Sequence, residues 1–221
     1  MTWVKICGIT NLEDALVAVD ADADAVGFVF HEKSPRKVDV ETARAIVAAL
    51  PERVEKAGVF VEQGADAILE IAERTGLTIL QVPADAAGEV LKALAGRRSK
   101  SPKLILAISA DQIQESFFIE EPLKKEIYAA LIDSGSAAAP GGTGITFDWR
   151  KKRDSLRSIG LIIPIVIAGG LRPANVSEAI GTFRSFGVDV ASGVEARPGK
   201  KDPEKVRAFV RAVRETDQRV V

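Results

Sequence analysis

The sequence predicts an α/β protein, a (β/α)8 TIM barrel that occupies residues 1–221 as a single domain. Short β-rich runs alternate with segments of helical periodicity, which is typical of a parallel sheet. The alternation repeats eight times, and no Pro/Gly/Ser-rich linker or break in composition divides the 221 residues. An open doubly wound sheet is the alternative for such a pattern, and the count of eight units favours the closed barrel.

The eight predicted strands are short runs rich in aliphatic and β-branched residues. Each is followed by a segment long enough to form a helix that returns the chain to the start of the next parallel strand. The strands are predicted at residues 3–7, 25–30, 56–61, 78–82, 103–108, 127–132, 162–168 and 188–191.

The helices between the strands are predicted from apolar side chains at positions i, i+3, i+4 and i+7. This spacing begins at Ile68 in the third helix, at Ala87 in the fourth and at Val206 in the last. Each of these helices therefore has one apolar face, which we expect to pack on the outside of the barrel.

Several helix ends are also marked in the sequence. Thr10 and Glu13 match a capping box at the start of the first helix. The pair Asp202-Pro203 predicts the start of the last helix, with aspartate as the cap and proline in the first turn. Gly76 and Gly96 predict the ends of the third and fourth helices.

The composition is that of an ordinary globular protein, with 47% apolar and 28% charged residues. Thirty basic and thirty-one acidic side chains leave a net charge of −1, so we expect no nucleic-acid partner and no anionic membrane surface. The longest apolar stretch, residues 161–168, contains Pro164 and is shorter than the roughly 20 residues that span a bilayer. The N-terminus lacks the apolar core of a signal peptide, and a single cysteine fits a reducing compartment, so we expect a cytoplasmic protein.

Cys7 and Asp133 are the candidate catalytic residues. The active sites of such barrels lie at the carboxyl ends of the strands, where Cys7 ends the first strand and Asp133 follows the sixth. Lys5 lies on the same side of its strand as Cys7, so we expect its ammonium inside the barrel, where it would favour the thiolate. The alternatives are an inert buried cysteine, a structural ion pair for Lys5, and a turn or capping role for Asp133.

Two glycine-containing turns and one arginine are candidate anion-binding groups. Gly169-Gly170 follows the seventh strand and Ser192-Gly193 follows the eighth, at the frequent phosphate site of this fold. Arg36 lies in the loop after the second strand, where a guanidinium could grip a carboxylate with two hydrogen bonds. His31 has no second ligand at metal-binding spacing, so we expect no metal.

Together, nine short motifs resemble phosphoribosylanthranilate isomerase of tryptophan biosynthesis. They occur in the order that this family shows, from the first strand to the last. The motifs are KICGIT at 5–10, SPR at 34–36, GVFV at 58–61, DS at 133–134, GGTG at 141–144, TFDW at 146–149, AGGL at 168–171, VDV at 188–190 and SGVE at 192–195.

The resemblance implies an Amadori rearrangement of a small phosphorylated substrate, N-(5′-phosphoribosyl)anthranilate, to 1-(2-carboxyphenylamino)-1-deoxyribulose 5-phosphate, without a cofactor. Asp133 would be the general acid that protonates the ribose ring oxygen, and Cys7 the general base that removes the C2′ proton. Arg36 would bind the anthranilate carboxylate, and the protein would be a monomer or a homodimer. The implied substrate-binding residues are Arg36, Gly142, Gly169, Gly170, Ala191, Ser192 and Gly193.

The sequence departs from the family pattern at three places. Residues 82–84, Val-Pro-Ala, follow Gln81 where Leu-His-Gly is usual, Ile145 replaces a lysine, and Ala191 replaces a serine. Two alternatives therefore stay open: a barrel that binds anions without catalysis, and a related sugar-phosphate isomerase of the histidine pathway. The second uses paired aspartates, and Cys7 in place of the first aspartate argues against it.

Overall fold

Eight parallel strands form a closed barrel in the computed structural model, which describes residues 1–95, 101–113, 121–134 and 149–219. The predicted strand 3–7 is confirmed, and the other predicted strands lie within a few residues of the observed ones. The barrel strands are β1 Trp3–Cys7, β2 Ala25–Val29, β3 Glu55–Val59, β4 Ile79–Pro83, β5 Lys103–Ser109, β6 Ile127–Asp133, β7 Ile165–Ile167 and β8 Gly187–Val190.

Closure of the sheet is visible in the pairing of its first strand. Ile6 of β1 lies opposite Val26 of β2 on one side and opposite Val190 of β8 on the other. Because the first and last barrel strands are paired, the predicted (β/α)8 barrel is confirmed and the open doubly wound sheet is excluded.

Helices follow the strands around the outside of the barrel. Val206, Phe209, Val210 and Val213 on the last helix are all buried, as their spacing predicted. None of the helices in the described ranges has the length and apolar character that a membrane span requires. The helices are α1 Leu12–Asp20, α2 Val40–Ala49, α3 Ala65–Thr75, α4 Ala87–Ala95, α5 Glu121–Glu126, α6 Trp149–Gly160, α7 Val176–Phe183 and α8 Pro203–Arg219.

Two of the predicted helix ends are confirmed. Gly76 closes α3 in the left-handed conformation, with φ of 76°, which glycine adopts without strain. The carboxylate of Asp202 accepts hydrogen bonds from the backbone N–H groups of Glu204 and Lys205 at the start of α8. Gly96, predicted to end the fourth helix, lies outside the described residues.

The capping box predicted at Thr10 and Glu13 is wrong. The side chain of Asn11 caps α1 and accepts the N–H of Asp14 at 3.0 Å. The hydroxyl of Thr10 instead donates to the carbonyl oxygen of Gly199 at 2.6 Å. The hydroxyl that the local sequence pattern predicted as a helix cap is therefore used in a contact with a residue distant in sequence.

The seventh strand is shorter than predicted. It covers Ile165–Ile167, whereas the apolar run suggested residues 162–168. The N–H groups of Ile162 and Ile163 bond to the carbonyl oxygen of Ile159, so these two residues form the turn that ends α6. Pro164, which has no N–H, then leads into the strand.

Side chains of β1 alternate between two cores. Val4 and Ile6 point outward into the apolar layer beneath the helices, while Trp3, Lys5 and Cys7 point into the barrel. Apolar side chains that also point into the barrel form a second buried cluster. Its members are Trp3, Ala25, Ala57, Ile79, Ile105, Ala129, Leu131, Val166 and Ala168.

A short antiparallel hairpin, which the sequence did not predict, follows β8. Its strands are β9 Glu195–Arg197 and β10 Lys200–Lys201. Gly199 turns the chain with φ of 78°. The hairpin brings Glu195 and Lys201 back toward the carboxyl ends of β1 and β2.

Candidate active site

Cys7 lies at the carboxyl end of β1 and is 6% exposed. Its neighbour across the sheet is Gly27 of β2. A Cβ atom at Gly27 would lie 2.9 Å from the Cys7 sulfur and 2.9 Å from Cε of Lys5. The glycine therefore makes the room in which the thiol and the lysine stem lie side by side.

Lys5 is fully buried beneath Cys7, as the alternation of side chains predicted. Its ammonium donates to Oδ1 of Asp189 at 2.9 Å and to Oε1 of Gln81 at 2.9 Å. It is also close enough to the Cys7 thiol for its charge to lower the pKa of the thiol. Both the structural ion pair and the cationic neighbour for Cys7 considered from the sequence are therefore present.

Lys5 favours the Cys7 thiolate, as expected from the sequence, but burial of the thiol has the larger effect on its pKa. Burial raises the pKa of the Cys7 thiol above its ordinary value, and the charge of Asp189 adds to this rise. The ammonium groups of Lys5 and Lys201 lower the pKa but do not outweigh burial. An ordinary thiol is mostly protonated at neutral pH, and the raised pKa keeps Cys7 in that form.

Asp189 and Gln81 are two buried residues of the candidate site that were not predicted from the sequence. Both are buried in the barrel, 8% and 6% exposed, and both contact Lys5. A buried polar side chain must find a partner. Inward-facing polar residues within the apolar strands β4 and β8 were the available signal.

Arg36 contacts a carboxylate of the protein itself. Its Nε and Nη2 atoms donate to the two carboxylate oxygens of Glu195, each at 2.8 Å. The stem of Arg36 crosses Gly8, where a Cβ atom would lie 2.6 Å from Cδ of the arginine. Gly8, with φ of 78°, thus sets the guanidinium beside the end of β1.

Arg36, Glu195 and Lys201 form a second charged cluster. Lys201 was not predicted from the sequence. Its fully buried ammonium lies 3.0 Å from Oε1 of Glu195 and 3.2 Å from the carbonyl oxygen of Ala191. Burial opposes the charge of Glu195, but Arg36 and Lys201 together hold the pKa of its carboxyl below the ordinary value. Burial lowers the pKa of Lys201, and Glu195 opposes that fall.

The turns after β7 and β8 pack against neighbouring backbone. Gly169 and Gly170 have φ of 82° and 65°, and a Cβ atom on Gly169 would collide with Ser134 at the end of β6. A Cβ atom on Gly193 would collide with the carbonyl oxygen of Leu171. Only glycine permits these close approaches.

These turns carry free hydrogen-bond donors. Within the described part of the chain, the backbone N–H groups of Gly170, Ser192 and Gly193 donate to no other protein group. They lie on the loops that follow two adjacent strands. Successive backbone N–H groups on turns of this kind can form anion-binding concavities.

Asp133 ends β6 at the same rim as Cys7. It is half-buried and lies opposite Ser109 of β5. Two strands, β7 and β8, separate β6 from β1 around the barrel, so the two side chains project from different walls. Gly142 and Ile145 lie outside the described residues.

The closed parallel barrel, with buried ionisable groups and glycine turns at the carboxyl ends of its strands, defines a (β/α)8-barrel enzyme. The family model for N-(5′-phosphoribosyl)anthranilate (PRA) isomerase matches residues 4–212. The chain therefore belongs to the PRA isomerase family, and it is an isomerase of tryptophan biosynthesis. The resemblance seen in the sequence motifs is confirmed.

Named relatives agree with this assignment. The N-(5′-phosphoribosyl)anthranilate isomerase of Geotalea uraniireducens is 43% identical over 211 residues, which are 96% of this chain and 98% of that one. The crystal structure of phosphoribosylanthranilate isomerase from Thermotoga maritima has a TM-score of 0.79 at 37% identity, with 97% of this chain and 100% of that one covered. A PRA isomerase crystallised with reduced 1-(o-carboxyphenylamino)-1-deoxyribulose 5-phosphate has a TM-score of 0.74 at 36% identity, with the same coverage.

Proposed function

We propose that this chain catalyses the Amadori rearrangement of N-(5′-phosphoribosyl)anthranilate, with Asp133 as the general acid and Cys7 as the general base. The observation that carries the proposal is the buried thiol of Cys7 set against the ammonium of Lys5, which Asp189 and Gln81 hold in place. A thiol with a fixed cation beside it can lose its proton and leave the resulting charge compensated.

In the first step, Asp133 gives a proton to the ribose ring oxygen. The bond between that oxygen and C1′ breaks, and the lone pair of the anthranilate nitrogen forms a C1′=N double bond. The product is an open-chain Schiff base with a cationic nitrogen, and Asp133 is left as a carboxylate. Proton transfer from a positioned side chain of this kind contributes about 10² to 10⁴ in rate.

In the second step, Cys7 as thiolate removes the proton from C2′. The electrons of the C–H bond form a C1′=C2′ double bond, and those of the C=N bond return to nitrogen, which gives an enolamine. Tautomerisation then yields the ketone at C2′. C1′ is reduced and C2′ is oxidised within one molecule, so the reaction needs no redox cofactor.

The substrate has two anionic ends, and two groups of donors suit them. We propose that the N–H groups of Arg36 not used by Glu195 bind the anthranilate carboxylate. The free N–H groups of Gly170, Ser192 and Gly193 suit the phosphate, with Gly169 and Ala191 shaping the two turns. A phosphate held by backbone N–H groups tolerates Ala191 where the family has serine. Gly142 remains a proposed contact.

We propose that residues 1–221 form one catalytic domain, that the protein acts in the cytoplasm, and that it is a monomer or a homodimer with a small phosphorylated molecule as its substrate.

The test is a fluorescence assay that follows loss of the anthranilate substrate. Wild-type protein should convert it, and the substrate of the related histidine-pathway isomerase should not react in a parallel assay. Cys7→Ala should lower kcat by about 10² to 10⁴ while the reduced product analogue still binds. Wild-type turnover by Cys7→Ala would show that the assigned base is wrong.

Binding without turnover in the wild type would instead favour the non-catalytic barrel. Asp133→Asn is the companion variant for the acid. It should lose turnover in the same range because the amide cannot donate a carboxylic proton to the ring oxygen.

A further inference from the structure

Arg36 is expected to attract a carboxylate, yet a carboxylate of the protein already neutralises it. Glu195 engages Nε and Nη2 of Arg36 at 2.8 Å each, and its side chain is only 4% exposed. The two charges cancel. A neutral, buried pair offers an incoming anion hydrogen bonds but little net electrostatic attraction to repay the loss of its hydration.

Lys201 makes the net charge of this cluster positive. Its ammonium, with a fully buried side chain, shares Oε1 of Glu195 with Nε of Arg36. Two cations and one anion leave a net charge of +1 in a site shielded from water. One monoanionic carboxylate would make the site neutral.

The fold holds Lys201 in this inward position. The backbone N–H of Lys201 donates to the buried carboxylate of Asp14 at 2.7 Å. The adjacent Lys200 points the other way, and its ammonium lies 2.7 Å from Glu13 and 2.7 Å from Asp14. The side chains of these two neighbouring lysines therefore point to different carboxylates, and Lys200 is the natural control for Lys201.

We infer that Lys201 is a positioning residue for recognition of the aromatic carboxylate of the substrate: it supplies the positive charge that Glu195 removes from Arg36. The inference rests on the proposed function. Lys201 also contacts the carbonyl oxygen of Ala191 at 3.2 Å, directly before Ser192 and Gly193. The same ammonium thus connects the arginine site with the turn proposed for phosphate.

The experiment compares two ligands that differ only in the aromatic carboxylate. One is reduced 1-(o-carboxyphenylamino)-1-deoxyribulose 5-phosphate, and the other is its phenylamino counterpart. Their Kd values are measured for the wild type, Lys201→Met and Lys200→Met. We expect Lys201→Met to weaken binding of the carboxylated ligand about tenfold more than binding of the phenylamino ligand. Lys200→Met should bind both ligands as the wild type does.

A double variant separates charge from shape. Lys201→Met with Glu195→Gln leaves Arg36 as the single charge, which restores the net charge of +1. We expect this variant to recover part of the preference for the carboxylated ligand. Loss of a purely structural contact predicts no such recovery, so a double variant that discriminates no better than Lys201→Met overturns the inference.

Equal weakening of both ligands by Lys201→Met, or no change in either, also overturns it. Lys201→Gln is measured in parallel, because its amide retains a donor to Glu195 but has no charge. It should lose the same preference, so the result does not depend on the folding of one variant. If the wild type binds both ligands but turns over no substrate, the proposed function fails. If active enzyme keeps its preference without Lys201, only the present inference fails.

Discussion

Lys5 of β1 and Asp189 of β8 form a buried ion pair inside the barrel, with Nζ 2.9 Å from Oδ1, next to the thiol of Cys7. Burial opposes the charge of Lys5 and the carboxylate of Asp189 favours it, and the pKa of Lys5 lies above its ordinary value. Lys5 is therefore a permanent cation over the working pH range.

Activity should rise with pH because of Cys7. Burial raises the pKa of the thiol, so thiolate is scarce at neutral pH and increases as pH rises toward the pKa. We expect the pH profile of kcat/KM to have a limb that rises toward alkaline pH. This limb should coincide with ionisation of the thiol, which ultraviolet absorbance measures. A limb that persists in Cys7→Ser at the same pH would assign it to another group.

Lys5→Met should move that limb to higher pH. The variant removes an ammonium that lowers the thiol pKa and leaves unpaired the carboxylate of Asp189, which raises it, so both changes act in one direction. The pH profile of kcat/KM is the measurement, with Lys200→Met as the control cation. A limb at unchanged pH would mean that Lys5 does not act on Cys7.

Gly27→Ala should destabilise the protein and impair the site together. A Cβ atom would lie 2.9 Å from the Cys7 sulfur and 2.9 Å from Lys5 Cε, and overpacking of this kind costs about 1–3 kcal/mol. Gly88→Ala in α4 is the matched control, because nothing lies within 4 Å of its Cβ position. That change should be neutral or stabilise the helix by about 0.5–1 kcal/mol. Urea unfolding and kcat measure both effects, and equal stabilities for the two variants would contradict the close packing at Gly27.

Gly193→Ala should weaken phosphate binding. Its Cβ would collide with the carbonyl oxygen of Leu171, so the turns after β7 and β8 must move apart and their N–H groups must separate. We expect weaker binding of inorganic phosphate and of the reduced product analogue. Gly181→Ala in α7, with open space at its Cβ, is the control. Unchanged phosphate affinity in Gly193→Ala would place the phosphate elsewhere.

Periodicity accounts for what the sequence predicted. Alternation along the strands was enough to predict the barrel and to put Lys5 beneath Cys7, because strand geometry fixes which side chains share a face. The same rule, applied to β4 and β8, would have predicted Gln81 and Asp189 as partners for Lys5. A buried ammonium inside a barrel requires such partners.

The pair of Arg36 and Glu195 could not be predicted in this way. The two residues are 159 positions apart and lie in a loop and in a hairpin outside the barrel strands. No period relates them, and their contact depends on Gly8 and on the turn at Gly199. The predicted capping role of Thr10 is wrong for a related reason, since its hydroxyl bonds to that same turn.

Glu195 should also make stability depend on pH. Burial opposes its charge, but Arg36 and Lys201 hold the folded-state pKa below the ordinary 4.5. Because the folded-state value is the lower one, the stabilisation is fully present above the ordinary pKa and is lost as pH falls through the folded value. Glu195→Gln leaves two buried cations without their anion, so we expect a loss of about 3 kcal/mol at neutral pH.

The loss caused by Glu195→Gln should shrink in acid, where the wild-type carboxyl is itself protonated. Urea unfolding of both proteins at neutral pH and at several acidic pH values measures the difference. Glu204→Gln is the control, because this side chain is 83% exposed and pairs with Arg207 on the surface of α8, where such pairs contribute about 0–1 kcal/mol. A Glu195→Gln penalty that stayed constant with pH would show that the lost stability comes from packing and not from the charge that Arg36 and Lys201 share.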